Sequence, residues 1–169
     1  MDAAMKQMID GLKEAMQAER TGHTFYAMAA MNTSDPTGKE VFDQLAREEM
    51  EHFTFLASHY RSLLEHGVPS NARLPSHPTV SPDSPIFSAA LRERIKDAHF
   101  EMSAISIAVQ LELNAINHYR EQARRATMPE VQKFFEELAV WETSHYEAFL
   151  RQQQSLQEDY WRSAGFDRF

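Results

Sequence analysis

Two four-residue stretches, Glu49-Met50-Glu51-His52 and Glu142-Thr143-Ser144-His145, each set a carboxylate and an imidazole three positions apart. On a helix that spacing puts both side chains on one face, a turn apart. Such a pair can grip a divalent metal through oxygen and nitrogen, or it can lie on a wet surface as an ion pair of little consequence. Their company decides between the two. Shifting the sequence on itself by 93 residues aligns 17–65 with 110–158 without a gap, and 13 of the 49 positions are identical. Glu19 falls on Glu112, Tyr26 on Tyr119, Pro36 on Pro129, and Phe42, Leu45 and Ala46 on Phe135, Leu138 and Ala139. Glu49 and His52 fall on Glu142 and His145, so the pair is half of a repeat.

Helical stripes place these residues among apolar neighbours. Leu45, Glu49, His52 and Leu56 step by four, three and four, as do Leu138, Glu142, His145 and Phe149. Met16, Glu19 and Tyr26 share a stripe, and so do Val109, Glu112 and Tyr119. Glu48 and Glu51 lie off the stripe and are expected at the surface. Four carboxylates converging in one core are prohibitively costly unless protons or cations neutralise them. Two divalent metals supply the charge that balances four glutamates and two neutral imidazoles. A Glu from each of two helices plus a Glu-x-x-His from each of two others is the di-iron ligand set of four-helix bundles.

The elements that must position these side chains read as helices throughout, with no alternating strand pattern. Apolar residues recur at helical spacing from about 3 to 31, in a Met-rich segment that reads as core. Ser34 or Asp35 can cap the next helix, Pro36 suits its first turn, and Gly67 with Pro69 ends it after about residue 65. Residues 67–85 hold five of the seven prolines and form a connector, after which Ser84-Pro85 can start a short helix. A third long helix runs from about His99 to Ala126. Thr127 with Glu130 resembles a capping box, and a fourth helix follows to about Asp159. The expected fold is all-α: one domain over 1–169, an antiparallel four-helix bundle of two pseudo-symmetric hairpins (about 3–65 and 99–159) joined by a long crossover of about 67–98.

Composition removes other functions. The 169 residues can bury one proper core. With 43% hydrophobic residues, and no apolar run near the ~18 a membrane span needs, a soluble, cytoplasmic protein without membrane contact is expected. A net charge of −8 argues against nucleic acid. The absence of cysteine excludes disulfides, thiolate zinc sites, iron–sulfur clusters and cysteine nucleophiles, so any metal is held by nitrogen and oxygen.

The stretches "QAERTGHTFYAMAA", "LAREEMEHFTFL", "QLELNAINHYREQA" and "LAVWETSHYEAFL" resemble the rubrerythrin branch of the ferritin-like superfamily, over about residues 5–158. The resemblance implies a bundle whose carboxylate-bridged di-iron centre reacts with peroxide or dioxygen, with Glu19, Glu49, His52, Glu112, Glu142 and His145 as ligands. It implies two iron ions, with manganese or zinc as substitutes; the long crossover and the aromatic tail lead to the expectation of a homodimer. Two departures stand out. Rubredoxin-type Cys-x-x-Cys motifs are absent, so electrons come from a separate donor such as a rubredoxin-like protein. The additional Glu that rubrerythrins place three residues after the helix-three Glu is here Ala115, and its repeat mate is Gly22. Besides peroxide or dioxygen reduction, two readings stay open: ferroxidase-type iron handling, and oxygenation of an organic substrate through a pocket opened at Gly22 and Ala115.

Tyr26 and Tyr119 are candidates to hydrogen-bond the ligand carboxylates or to pass electrons to the centre. His23, four residues after Glu19, is a candidate accessory group. Trp141 points off the ligand stripe and reads as packing. His59, His66, His77, His99 and His118 lack matched partners and read as surface or capping residues, and the aromatic tail 160–169 as a packing or dimer element.

Overall fold

A computed structural model describes residues 3–74 and 78–165. Four long helices form the bundle: α1 (Ala3–Asn32), α2 (Pro36–His66), α4 (His99–Arg125) and α5 (Pro129–Ser163). A short helix α3 (Ala89–Glu93) and a 3-10 turn (Ile95–Asp97) lie between α2 and α4. At about 1.5 Å per residue, the 30 residues of α1 extend about 45 Å. α1 packs along α2 and α4 along α5, giving the two expected hairpins. No described helix is long and apolar enough to cross a membrane.

Local chemistry sets the boundaries. Asp35 caps α2, its carboxylate accepting from the Gly38 amide at 2.9 Å, and Pro36 fills the first turn, where a missing N–H costs nothing. The same carboxylate accepts from the amide of Ser88 at 3.0 Å and from its hydroxyl, tying the α2 start to the crossover. Gly38 is required there because a Cβ would stand 2.7 Å from the Phe87 ring. Gly67 ends α2 in the left-handed region, φ 72°, with its amide bonded to the Leu63 carbonyl.

Two local expectations fail. The crossover helix is capped four residues later than Ser84, because Ser88 supplies the cap to the Leu91 amide while Ser84 is used in a turn with Ser81. Thr127 and Glu130 form no capping box. Met128 occupies the cap without a side-chain hydrogen bond, and Thr127 instead turns toward Met8. Helix α5 also continues to Ser163, so Tyr160 packs on the core as part of that helix. Residues 166–169 of the tail lie outside the described residues.

The core divides into two apolar clusters with the polar layer between them. One holds Tyr26, Phe42, Leu45 and Phe149. The other holds their repeat mates Tyr119, Phe135, Leu138 and Leu56. Tyr26 stacks on Phe42 and Phe149, and Tyr119 stacks on Phe135. The crossover buries Val80, Ile86, Phe87, Leu91 and Ile95 in the first cluster, and packs Ala72 and Leu74 against the second. It is pinned by the Ile86 amide to Gln152 Oε1 at 3.0 Å and by Arg92 to Asp159 at 2.6 Å.

Candidate metal centre

The bundle brings together all six residues singled out by the repeat, each from the helix and turn expected. Glu19, Glu49, His52, Glu112, Glu142 and His145 are at most 5% exposed. They form two overlapping quartets able to hold a metal ion, Glu19/Glu49/His52/Glu142 and Glu49/Glu112/Glu142/His145, with ligand atoms of each quartet within 4.8 Å of one another. Glu49 and Glu142 belong to both. The imidazoles present Nδ1 to this space: His52 Nδ1 lies 2.9 Å from Glu142 Oε1 and 3.3 Å from Glu19 Oε2, and His145 Nδ1 lies 3.1 Å from Glu142 Oε2. The six residues fit a metal pair by a simple test. Glu19 Oε2, Glu49 Oε1, Glu142 Oε1 and His52 Nδ1 are buried yet make no aligned hydrogen bond, so they face a common point rather than one another.

The electrostatics show what the protein does with so much buried charge. Burial first, and then the neighbouring carboxylates, raise Glu19, Glu49 and Glu112 well above the usual carboxylate range. Burial also acts to raise Glu142, but the His52 charge and the hydrogen bond and charge of His145 win and hold it well below that range. Burial acts to lower His52, and Glu142 overcomes it, lifting the imidazole to about 9. His145 is raised likewise, burial being outweighed by Glu142 and Glu48. Three acids are thereby shifted toward the neutral form and both imidazoles toward the charged form, which offsets the buried negative charge. Protons hold the places that cations would take.

Tyr26 and Tyr119 hold the centre crosswise. The Tyr26 hydroxyl of α1 donates to Glu112 Oε1 on α4, and the Tyr119 hydroxyl of α4 donates to Glu19 Oε1 on α1. Burial and the Glu112 charge raise the Tyr26 phenol, which keeps it a donor. Each hairpin thus orients one carboxylate of the other. A cavity of about 310 Å³ reaches Glu19, Glu49 and Glu112 between α1 and α4, beside Gly22 and Ala115. A Cβ on Gly22 would come within 2.6 Å of Glu49 Oε2, so the glycine is what leaves that carboxylate its place.

Three expectations are corrected. Glu48 is 1% exposed. It points between α2 and α5, where its carboxylate accepts from His145 Nε2 at 2.8 Å, the Thr79 amide at 2.9 Å, Gln44 at 3.2 Å and Trp141 Nε1 at 3.3 Å. Burial alone would raise it, but these donors bring it down to about 2. The core-facing arc of α2 is wider than the ligand stripe, because both α5 and the crossover cover it. His59 is buried for the same reason, stacked on Phe134 at 4.4 Å, and burial lowers it to about 4, so it is a neutral core residue. His118 is partly buried, bonded to the Gly11 carbonyl at 3.2 Å, and lines the cavity. Trp141 packs as expected, edge-to-face on His52 at 5.3 Å, but also donates to Glu48. His23 turns away to the Ala46 carbonyl at 2.7 Å, and His66 and His99 are exposed. His77 lies outside the described residues.

No curated protein and no solved structure matches the chain significantly. The sequence model of the rubrerythrin family matches residues 10–153, which include all six residues of the centre and both tyrosines. That family binds iron, the buried carboxylate–histidine cluster fits a di-iron site, and the helical bundle is of the ferritin-like kind. On the extent of that match, the chain belongs to the rubrerythrin family.

Proposed function

We propose that the protein is a non-haem oxidoreductase that reduces hydrogen peroxide or dioxygen at a pair of iron ions. The observation that carries this reading is the pair of overlapping quartets sharing Glu49 and Glu142. In it, Glu19 and His52 would hold one ion, Glu112 and His145 the other, and Glu49 and Glu142 would be within reach of both. When bound, a ferrous pair supplies two electrons together and Lewis acidity at the oxygen–oxygen bond.

The chain's own groups account for the rest. Six side chains on four helices would hold the cations, and the tyrosines keep Glu19 and Glu112 aimed inward. The cavity beside Gly22 and Ala115 admits a small oxidant to the Glu49 side of the centre. Apolar clusters above and below keep bulk water out. These 169 residues contain no cysteine, so reducing equivalents come from a separate donor such as a rubredoxin-like protein. The test is anaerobic loading with ferrous iron followed by peroxide or oxygen, with oxidation followed optically. Rapid oxidation of two irons per chain is expected, and no oxidation by either oxidant sinks the redox reading.

A second reading is favoured by the cavity itself. About 310 Å³ is far more than peroxide needs and is of the size that receives a small organic molecule. Ala115→Phe distinguishes the two uses. Peroxide-driven oxidation should survive it, whereas oxygenation of an organic substrate should be lost.

A further inference from the structure

His52 and His145 are repeat mates, yet their outer nitrogens meet different surroundings. An imidazole that offers Nδ1 to a metal carries its proton on Nε2, and what accepts that proton sets both the ring's orientation and its strength as a ligand. His145 Nε2 stands 2.8 Å from Glu48 Oε2. That carboxylate is itself fixed by Trp141, Thr79 and Gln44, so it has no freedom to turn away. On the other side, the repeat mate of Glu48 is Trp141, 93 residues on. It offers His52 a ring edge-to-face at 5.3 Å, and His52 Nε2 has no hydrogen-bond partner among the described residues. At this repeat position the two halves differ, carboxylate against indole, directly behind the two matched histidines.

We infer that the two metal positions are inequivalent: the position of Glu112 and His145 fills first and more tightly, and Glu48 is the positioning residue responsible. Holding a ligating histidine through its outer nitrogen is commonly worth about 10–100-fold in metal affinity. Glu48 makes this contribution to one position only, because among the described residues no carboxylate reaches His52 Nε2. The inference rests on the dimetal reading of the centre. Cobalt(II) separates the two ideas, since failure to bind two equivalents removes the centre, while two equal steps remove the inequivalence alone.

The experiment is a cobalt(II) titration against a competing chelator, with anomalous diffraction from crystals prepared at one equivalent to show which position fills. In the native protein two unequal steps are expected, with the first cobalt beside His145. In Glu48→Ala the tighter step should weaken about 10–100-fold while the other stays within about twofold, and the first cobalt should no longer prefer His145. Glu48→Gln keeps the shape and an acceptor oxygen without the charge. It should show a smaller loss on the same step, and it decides the matter if Glu48→Ala does not fold. Glu48 also anchors Thr79, and loss of that anchor alone would lower thermal stability without singling out one cobalt. Equal filling in the native protein, or variants that weaken both steps alike or neither, would overturn the inference.

Discussion

The α1–α2 hairpin and the α4–α5 hairpin carry the same ligand pattern but not the same surroundings. Inward from the ligands they are near copies: Glu19 and Glu112 each receive a tyrosine from the other hairpin, and Phe42 and Phe135 occupy matched places under those tyrosines. Outward they diverge. The crossover buries most of its apolar residues in one cluster and only Ala72 and Leu74 pack on the other, its Thr79 amide closes over Glu48, and Glu48 in turn holds His145. His52 has an indole in that place. The difference teaches that the repeat governs the candidate ligands and the tyrosines that hold two of them, whereas the unmatched pair Glu48 and Trp141, with the crossover above Glu48, sets what the two imidazoles meet on their outer side.

The largest effects should test the symmetric part. Phe42 and Phe135 are fully buried repeat mates, and truncating either to Ala should cost about 3–5 kcal/mol in denaturant unfolding. The comparison predicts equal losses. A much smaller cost for Phe42→Ala would show that the crossover, whose Phe87 touches Phe42, compensates on that side.

Next come the crossed tyrosines. Tyr26→Phe and Tyr119→Phe each free one carboxylate, Glu112 or Glu19, and each should weaken metal binding about 10-fold, at opposite positions of the pair. A loss at the same position for both would break the crossed arrangement. Chelator-competition titrations read this directly.

The smallest effect is on pH-dependent stability of the chelator-treated protein, and it separates the halves. His52 is raised from 6.5 to about 9, so its stabilising charge is fully present below 6.5 and is lost as pH rises through 9. Glu48 is lowered from 4.5 to about 2, so its contribution is present above 4.5 and is lost as pH falls through 2. The melting temperature should therefore fall on both sides. His52→Gln should flatten the alkaline limb and Glu48→Gln the acid limb, as seen in thermal melts across that range.

The ligand stripe was legible because helical phase and a 93-residue offset both act on it, and either alone would have left Glu49 and His52 ambiguous. Asp35, Pro36 and Gly67 were legible for a local reason, since caps and turns depend on neighbours in sequence. Glu48 and His59 were not, because their burial comes from the connector folding back across α2, a contact that helical phase does not encode. Thr127 and Glu130 matched a capping pattern, but a local pattern is only a preference, and the start of α5 is set by Pro129 instead. The one available pointer to Glu48 was its repeat mate: a Trp opposite a Glu, next to a conserved-in-repeat Glu-x-x-His, marks a place where the halves differ.

The central claim is a two-metal centre built on shared carboxylates, and metal content tests it most directly. Protein loaded anaerobically with ferrous iron and desalted should hold two irons per chain by elemental analysis. Glu49→Ala and Glu142→Ala, each removing a residue common to both quartets, should each lose both irons while remaining helical by circular dichroism. Full iron content retained in both variants would contradict the account.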